Sequence, residues 1–195
     1  MIKPDTQQYY IVGDYKFINY IYLNDKQKLE VLESRNQDIV REKMYKSESI
    51  SKEEHFQFID NLVDYDDRSY WYIEDNGEYV GSYSITDYIE LESSCESGVF
   101  FRHTDLIHMD SNIKMLKNAY DFSFNEMGIT LMRGYTKVSN TFMVNLISYL
   151  GFRRKLHSDT DFIAVEMTKS DYINNMRGRQ INIRDFLKFI KSTKS

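Results

Sequence analysis

A single cysteine, Cys95, stands in the 195-residue chain, so no internal disulfide framework is available and the usage fits a reducing, cytoplasmic compartment. Its expected state is a buried or neutral thiol. No apolar run approaches the roughly 18 residues of a membrane helix, and no signal-peptide pattern opens the chain, so membrane insertion is not expected. The histidines, His55, His103, His108 and His157, lack HExxH or HxxxH spacing. With one cysteine beside them, no metal site is expected. There is no GxSxG, no Walker A sequence and no internal repeat. Basic charge is also short: 25 Lys and Arg against 30 Asp and Glu give a net charge of −5. A nucleic-acid partner, which needs a basic footprint, is therefore not expected. The basic concentrations, Arg153-Arg154-Lys155 and the C-terminal tail, read as a solvated face or a partner helix.

Aromatic residues are plentiful instead: 16 Tyr and 12 Phe beside one Trp. A tyrosine-rich core carries polar tips that suit flat polar ligands, although AT-rich coding bias would leave the same composition. The length suits one domain with a sizeable core.

Residues 8–23 read as a strand. Asp25 is placed to cap a helix through Leu29, Val31 and Leu32, which Arg35-Asn36 interrupts before Ile39, Val40 and Met44. Ser51 and Glu54 form a capping-box pair ahead of Phe56, Ile59 and Leu62. Asn76-Gly77 marks a hairpin turn between alternating strands. "ESGVFF" is a further strand, and a polar connection leads to a long helix through Ile113, Leu116 and Tyr120, closed by Gly128. "ITLMRGYTKV" is a strand, Asn140 caps the helix "TFMVNLISYL", "DFIAVEMT" is a late strand, and Ile183 to Ile190 is an amphipathic helix. This order predicts an α/β (α+β) domain over residues 1–172, a central mixed, twisted sheet flanked by helices, with a C-terminal amphipathic helical tail over 173–195.

The stretch "SNTFMVNLISYLGF", with Asn140 before the helix and Gly151-Phe152 after it, resembles a motif of the GNAT acetyltransferase superfamily. "VLESRN", "MYKSESISKEEHFQFIDNL" and "YVGSYSIT" resemble the N-acetyltransferases of pseudaminic acid biosynthesis, over roughly residues 14–152. That resemblance implies acetyl-CoA as co-substrate and a nucleotide-linked amino-deoxy sugar as acceptor. It implies further that Arg35, Asn36, Met44 and His55 line the sugar-nucleotide pocket. Arg35 would clamp a phosphate, Asn36 and His55 would bond phosphate or hydroxyls, and Met44 would give an apolar wall. Read without the resemblance, these are solvated helix residues and a core methionine.

On the donor side the resemblance implies an oxyanion contact from the backbone of Val99, Phe100 and Phe101, with Arg102, Ser111, Asn112, Lys114 and Asn140 near the cofactor. The superfamily's glycine-rich loop is replaced by the glycine-free "FFRHTDLIHMDSNIKM", in which Asp105 and Asp110 would repel a pyrophosphate. Ile147 takes the slot in which the superfamily often carries an acid tyrosine. Tyr149, two residues on and about 200° around the helix, is the remaining candidate acid. Glu96 is the nearest carboxylate for a water-recruiting base; a solvent-facing strand-end residue is the alternative. Beside the acetyltransferase stands a second reading, a GNAT-shaped sugar-nucleotide-binding protein with lost or altered donor chemistry. Homodimer formation is open.

Overall fold

The computed structural model describes residues 7–105 and 107–193. The first six residues of the expected 1–172 domain, Leu106, and the last two residues of the expected tail lie outside them.

Eight strands form one sheet in the order β1-β2-β3-β4-β5-β6-β8-β7. They are β1 (Tyr9–Val12), β2 (Tyr15–Asn19), β3 (Ser69–Asp75), β4 (Glu78–Ile89), β5 (Ser94–Phe101), β6 (Leu131–Lys137), β7 (Arg153–Lys155) and β8 (Phe162–Thr168). The helices are α1 (Asp25–Asn36), α2 (Asp38–Arg41), α3 (Lys52–Asp60), α4 (Met109–Asp121), α5 (Thr141–Tyr149), α6 (Lys169–Asn175) and α7 (Ile183–Ser192). The expected α+β sheet is therefore present, with three departures. The stretch expected as one strand is a hairpin, because Gly13 at φ +61° lets the chain reverse between Val12 and Tyr15. A short edge strand, β7, follows α5. Thr168 and Asp171 form a capping box that starts α6.

Local chemistry explains most boundaries. Ser51 and Glu54 exchange the expected capping bonds at the start of α3. Asn24, one residue before Asp25, does the same with Gln27 for α1. Asn76 and Gly77, both at positive φ, turn β3 into β4. Gly151, at φ +94°, ends α5 in the left-handed conformation.

Side chains alternate across the sheet, and each face is covered. Phe17, Trp71, Ile73, Tyr83 and Ile85 point into the larger core with Ile113, Leu116 and Leu146 of α4 and α5. Ile18, Tyr72 and Tyr79 point the other way, against Val31 of α1 and Ile59 of α3. Tyr172, Met176, Ile181 and Phe186 belong to the larger core, so the chain after residue 172 packs into the same core, with α7 against α4 and α5.

The pairing is antiparallel except between β5 and β6, which run parallel with α4 as their crossover. Their pairing covers Ser94, Cys95 and Glu96 opposite Leu131, Met132 and Arg133. Beyond it β5 stays with β4 as far as Gly81↔Phe101, while β6 stays with β8 as far as Lys137↔Phe162. The two strands separate, and the gap is the site described below.

Gly81 keeps β4 against the free half of β5. A Cβ there would lie 2.6 Å from the Phe100 carbonyl oxygen and 3.2 Å from the Phe101 Cα, both backbone atoms that cannot step aside. Gly81→Ala is expected to destabilise the fold by about 1–3 kcal/mol, read as a lower denaturation midpoint. An unchanged midpoint would mean that this register is wrong.

Candidate active site

Between the separated halves of β5 and β6 lies a cavity of about 540 Å³, adjoining a second of about 230 Å³ toward the start of α4. Lys43, Met44, Val99, Asn140 and Met143 line both. Gly98 and Gly134 border the gap on its two strands and leave it unobstructed. Tyr120, Ile147 and Phe152 line it from the α4 and α5 side, and Ser84, Thr86, Glu96 and Tyr135 also line it. The smaller cavity is walled by Val99, Phe101, Met109, Phe142 and Met143 and is mainly apolar. Asn140 stands where the two meet, its side chain accepting from the Met143 N–H at 3.3 Å to cap α5.

Glu96 is the carboxylate lining the larger cavity. Burial and then the neighbouring Asp87 push its pKa up, against the opposing pull of Arg133 and a hydrogen bond from Tyr135. Tyr135 is 47% exposed, with its ring 5.1 Å from that of His157. Tyr120 is buried, which pushes its phenol well above the usual range, and it is hydrogen-bonded to Ser97. Cys95, beside Glu96 in the strand, is fully buried in the larger core and its pKa is pushed up to about 12 by burial, so it is an inert thiol.

A loop, residues 42–50, carries Met44 to the cleft, and four side chains fix it. Arg35 donates from Nη2 to the Lys46 carbonyl at 2.8 Å, and Arg41 from Nη1 to the Ser47 carbonyl at 3.1 Å. Asn36 both donates to the Ile50 carbonyl and accepts from the Ile50 N–H, at 2.8 and 3.0 Å. From β6, Lys137 donates to the Glu42 carbonyl at 2.9 Å. Tyr45 then packs on Phe162 of β8, ring centroids 5.0 Å apart, so the loop spans the cleft mouth. His55 is 4% exposed, and its Nε2 donates to the Lys28 carbonyl at 3.0 Å, pinning α3 to α1. Of the four residues expected at the acceptor pocket, Met44 lines the cleft, whereas Arg35, Asn36 and His55 hold the backbone around it.

The residues expected on the donor side divide in the same way. Val99, Phe100, Phe101, Asn112 and Asn140 line the smaller cavity. Arg102 turns away, donating to the Tyr79 carbonyl at 3.3 Å. Ser111 donates to the His108 carbonyl, and Lys114 pairs with Asp110 at 2.7 Å. Asp110 also accepts from the Ile183 N–H, so the negative charge expected to repel a pyrophosphate is already partnered. In α5, Ile147 lines the cleft as its slot implies. Tyr149 lies among Phe186, Phe189 and Arg179, its buried hydroxyl without a hydrogen-bond partner among the described residues. The 200° offset therefore puts Tyr149 under α7 and outside the cleft lining. Tyr120, Ser97, Lys43 and His157 were not singled out from sequence. Isolated glycines within two strands, Gly98 and Gly134, were the available signal for a close approach at this point.

The fold also gathers His103, Asp105 and His108 just before α4. His108 Nδ1 lies 2.8 and 3.0 Å from the two Asp105 oxygens, and the imidazoles of His103 and His108 stack at 4.4 Å.

A carboxyl whose native pKa exceeds its unfolded value holds its proton more tightly when folded. Its ionisation then costs stability once pH rises through the native pKa, and costs nothing below the unfolded pKa. Glu96→Gln should accordingly raise the melting temperature at pH 7, and the gain should vanish below about pH 4. An equal gain at both pH values would mean that Glu96 is not held in a desolvated position.

No family model matches the sequence, and no curated protein does. Solved structures do match the fold. The Campylobacter jejuni N-acetyltransferase PseH is 17% identical with a TM-score of 0.64, covering 80% of this chain and 99% of its own. Its complex with acetyl coenzyme A gives 17% and 0.62, over 79% and 98%. The Vibrio cholerae spermidine N-acetyltransferase, in complex with CoA and spermine, gives 15% and 0.69, over 83% and 99%. The chain has the fold of the GNAT N-acetyltransferases.

Proposed function

We propose that the protein transfers the acetyl group of acetyl-CoA to the amine of a nucleotide-linked amino-deoxy sugar, of the kind used in surface-glycan biosynthesis. The observation that carries this reading is the open gap between β5 and β6, where an apolar cavity near α4 adjoins a larger, more mixed one holding Glu96. An extended thioester arm fits the apolar part, walled by Val99, Phe142 and Met143. The half of β5 that has no β6 partner, residues 97–101, offers backbone N–H groups on that side to an oxyanion on the thioester carbonyl.

In the reaction the amine nitrogen attacks the thioester carbon, a C–N bond forms and the C–S bond breaks. Glu96 receives the amine proton directly or through a water, its raised pKa bringing it nearer to the working range of a base. The thiolate, of pKa about 8.5 by analogy with free cysteine, takes its proton from solvent. Tyr149 has no part in this scheme, because its hydroxyl faces α7.

Several features favour a nucleotide sugar as acceptor. Tyr45, Phe162, Tyr135 and His157 offer flat ring faces in the larger cavity, Lys43 offers positive charge, and Ser84, Thr86 and Thr136 offer hydroxyls. Met44 is the adaptable apolar wall between donor and acceptor. Arg35, Asn36 and His55 act on the acceptor through the 42–50 loop and the α1–α3 pairing that they fix. One observation favours a polyamine instead: Glu96 lies beside Asp87, two carboxylates that would attract a cation.

Release of free thiol from acetyl-CoA, measured with UDP- and dTDP-linked amino sugars and with spermidine, separates the readings. Turnover is expected with a nucleotide sugar, Glu96→Gln should lower kcat by about 10²–10⁴-fold, and Arg35→Ala should raise the acceptor KM by about tenfold. Turnover with spermidine alone would favour the polyamine. Stabilisation by sugar nucleotides without thiol release from any acceptor would favour a binding protein.

A further inference from the structure

The connection into α4 is where this fold departs furthest from an ordinary anion-binding helix start. The N–H groups of Ile107 and His108 already have an acceptor: Asp105 Oδ1, at 2.9 and 3.2 Å. A carboxylate thus occupies the place in which a phosphate would otherwise sit, and Thr104 and Asp105 line the donor end of the cleft. Direct binding of a pyrophosphate here would set anion against anion.

We propose that His103, Asp105 and His108 bind a divalent transition-metal ion of the zinc type, whose open coordination position takes a phosphate oxygen of the acyl donor. The second half of this statement rests on the acetyl-transfer reading; the first does not. Two imidazoles and a carboxylate are the donor set that such ions favour. Each residue offers one ligand atom, and these atoms lie within 4.8 Å of one another. Neighbouring ligands in a tetrahedral zinc site are roughly 3.3 Å apart when each bond is about 2.0–2.1 Å. The His108 Nδ1 to Asp105 spacing, 2.8 and 3.0 Å, is already close to that, so an ion can replace the proton the two share. His103 needs only side-chain rotation to close the set, because its stacked ring is exposed.

The surroundings hold the ligands in the manner of outer-shell contacts. Asp105 is fixed by the two N–H groups at the start of α4. The main chain at His103 is fixed by Asn112, 5% exposed, which donates to the His103 carbonyl at 2.7 Å. Three protein ligands leave a fourth position for an incoming oxygen. The bound dication also reverses the sign of the local charge, turning a site that repels pyrophosphate into one that attracts it.

The test uses the full chain stripped with chelator and titrated calorimetrically with ZnCl2, and with MgCl2 as the oxygen-preferring control. One zinc per chain is expected, weakened at least tenfold in His103→Ala and in His108→Ala, with no comparable magnesium binding. Asp105→Asn, which keeps the hydrogen-bond acceptor at the helix start, should also weaken zinc while leaving the unfolding midpoint close to wild type. Inorganic pyrophosphate and CoA should each bind at least tenfold more tightly with zinc present, and His108→Ala should abolish that gain. Absence of saturable zinc binding, or equal zinc binding in wild type and both histidine variants, would overturn the site. Zinc binding that leaves pyrophosphate affinity unchanged would overturn the phosphate role. Pyrophosphate bound through zinc while CoA is not bound would uphold the site and count against the acetyl-transfer reading.

Discussion

Backbone pairing between β5 and β6 stops after Glu96 and Arg133, and the site depends on that interruption. Each strand keeps its outer partner, β4 or β8, so its backbone donors and acceptors on that side are paired while those facing the gap are not. Sheet twist carries the two halves apart. Gly98 and Gly134 bring no side chain into the opening, while Ile147 and Phe152 shape its lining from α5 and the residues after it. The same break that costs backbone hydrogen bonds leaves N–H groups aimed at a space where a ligand can use them. That is the physical link between topology and chemistry in this chain.

A second tier of contacts determines how the gap is closed at its mouth. The charge-rich segment after α1 contributes mainly through its backbone: Arg35, Asn36 and Arg41 hold carbonyls and an amide of the 42–50 loop, and Lys137 reaches it from β6. Met44 and Tyr45 are thereby delivered to the cleft. Charged donors bonded to carbonyls are stronger than neutral pairs, which suits a loop with little apolar burial of its own. Since β6 and α1 both grip the loop, a change at either end is felt by Met44 and Tyr45 at the cleft.

Much of the fold was legible because local signals agreed with one another. The Ser51–Glu54 capping box, the Asn76-Gly77 turn and the Asn140 to Gly151 helix all carry their own boundaries in sequence. The β1–β2 hairpin was hidden because one glycine, Gly13, interrupts an otherwise continuous aromatic strand pattern. Within the site, the helical offset between Ile147 and Tyr149 was readable from periodicity: Ile147 lines the cleft, whereas Tyr149, the candidate acid, lies against Phe186 of α7. Which way Arg35, His55 and Arg102 point was not readable. Each makes its bond to a carbonyl whose position depends on tertiary packing, the partners being Lys46, Lys28 and Tyr79. Likewise, the linear spacing of the histidines gives no sign that the turn before α4 gathers His103 and His108 around Asp105.

On the proposed reading, the β5–β6 gap receives the thioester arm of acetyl-CoA. Amide hydrogen exchange, followed peptide by peptide with and without acetyl-CoA, tests it most directly. Residues 97–101 and 134–137, whose facing edges lack a strand partner, should exchange quickly in the free protein and slow markedly on addition of the ligand, together with the start of α5 at Asn140. Protection confined to other parts of the chain, or no change along β5 and β6 at saturating acetyl-CoA, would contradict the account.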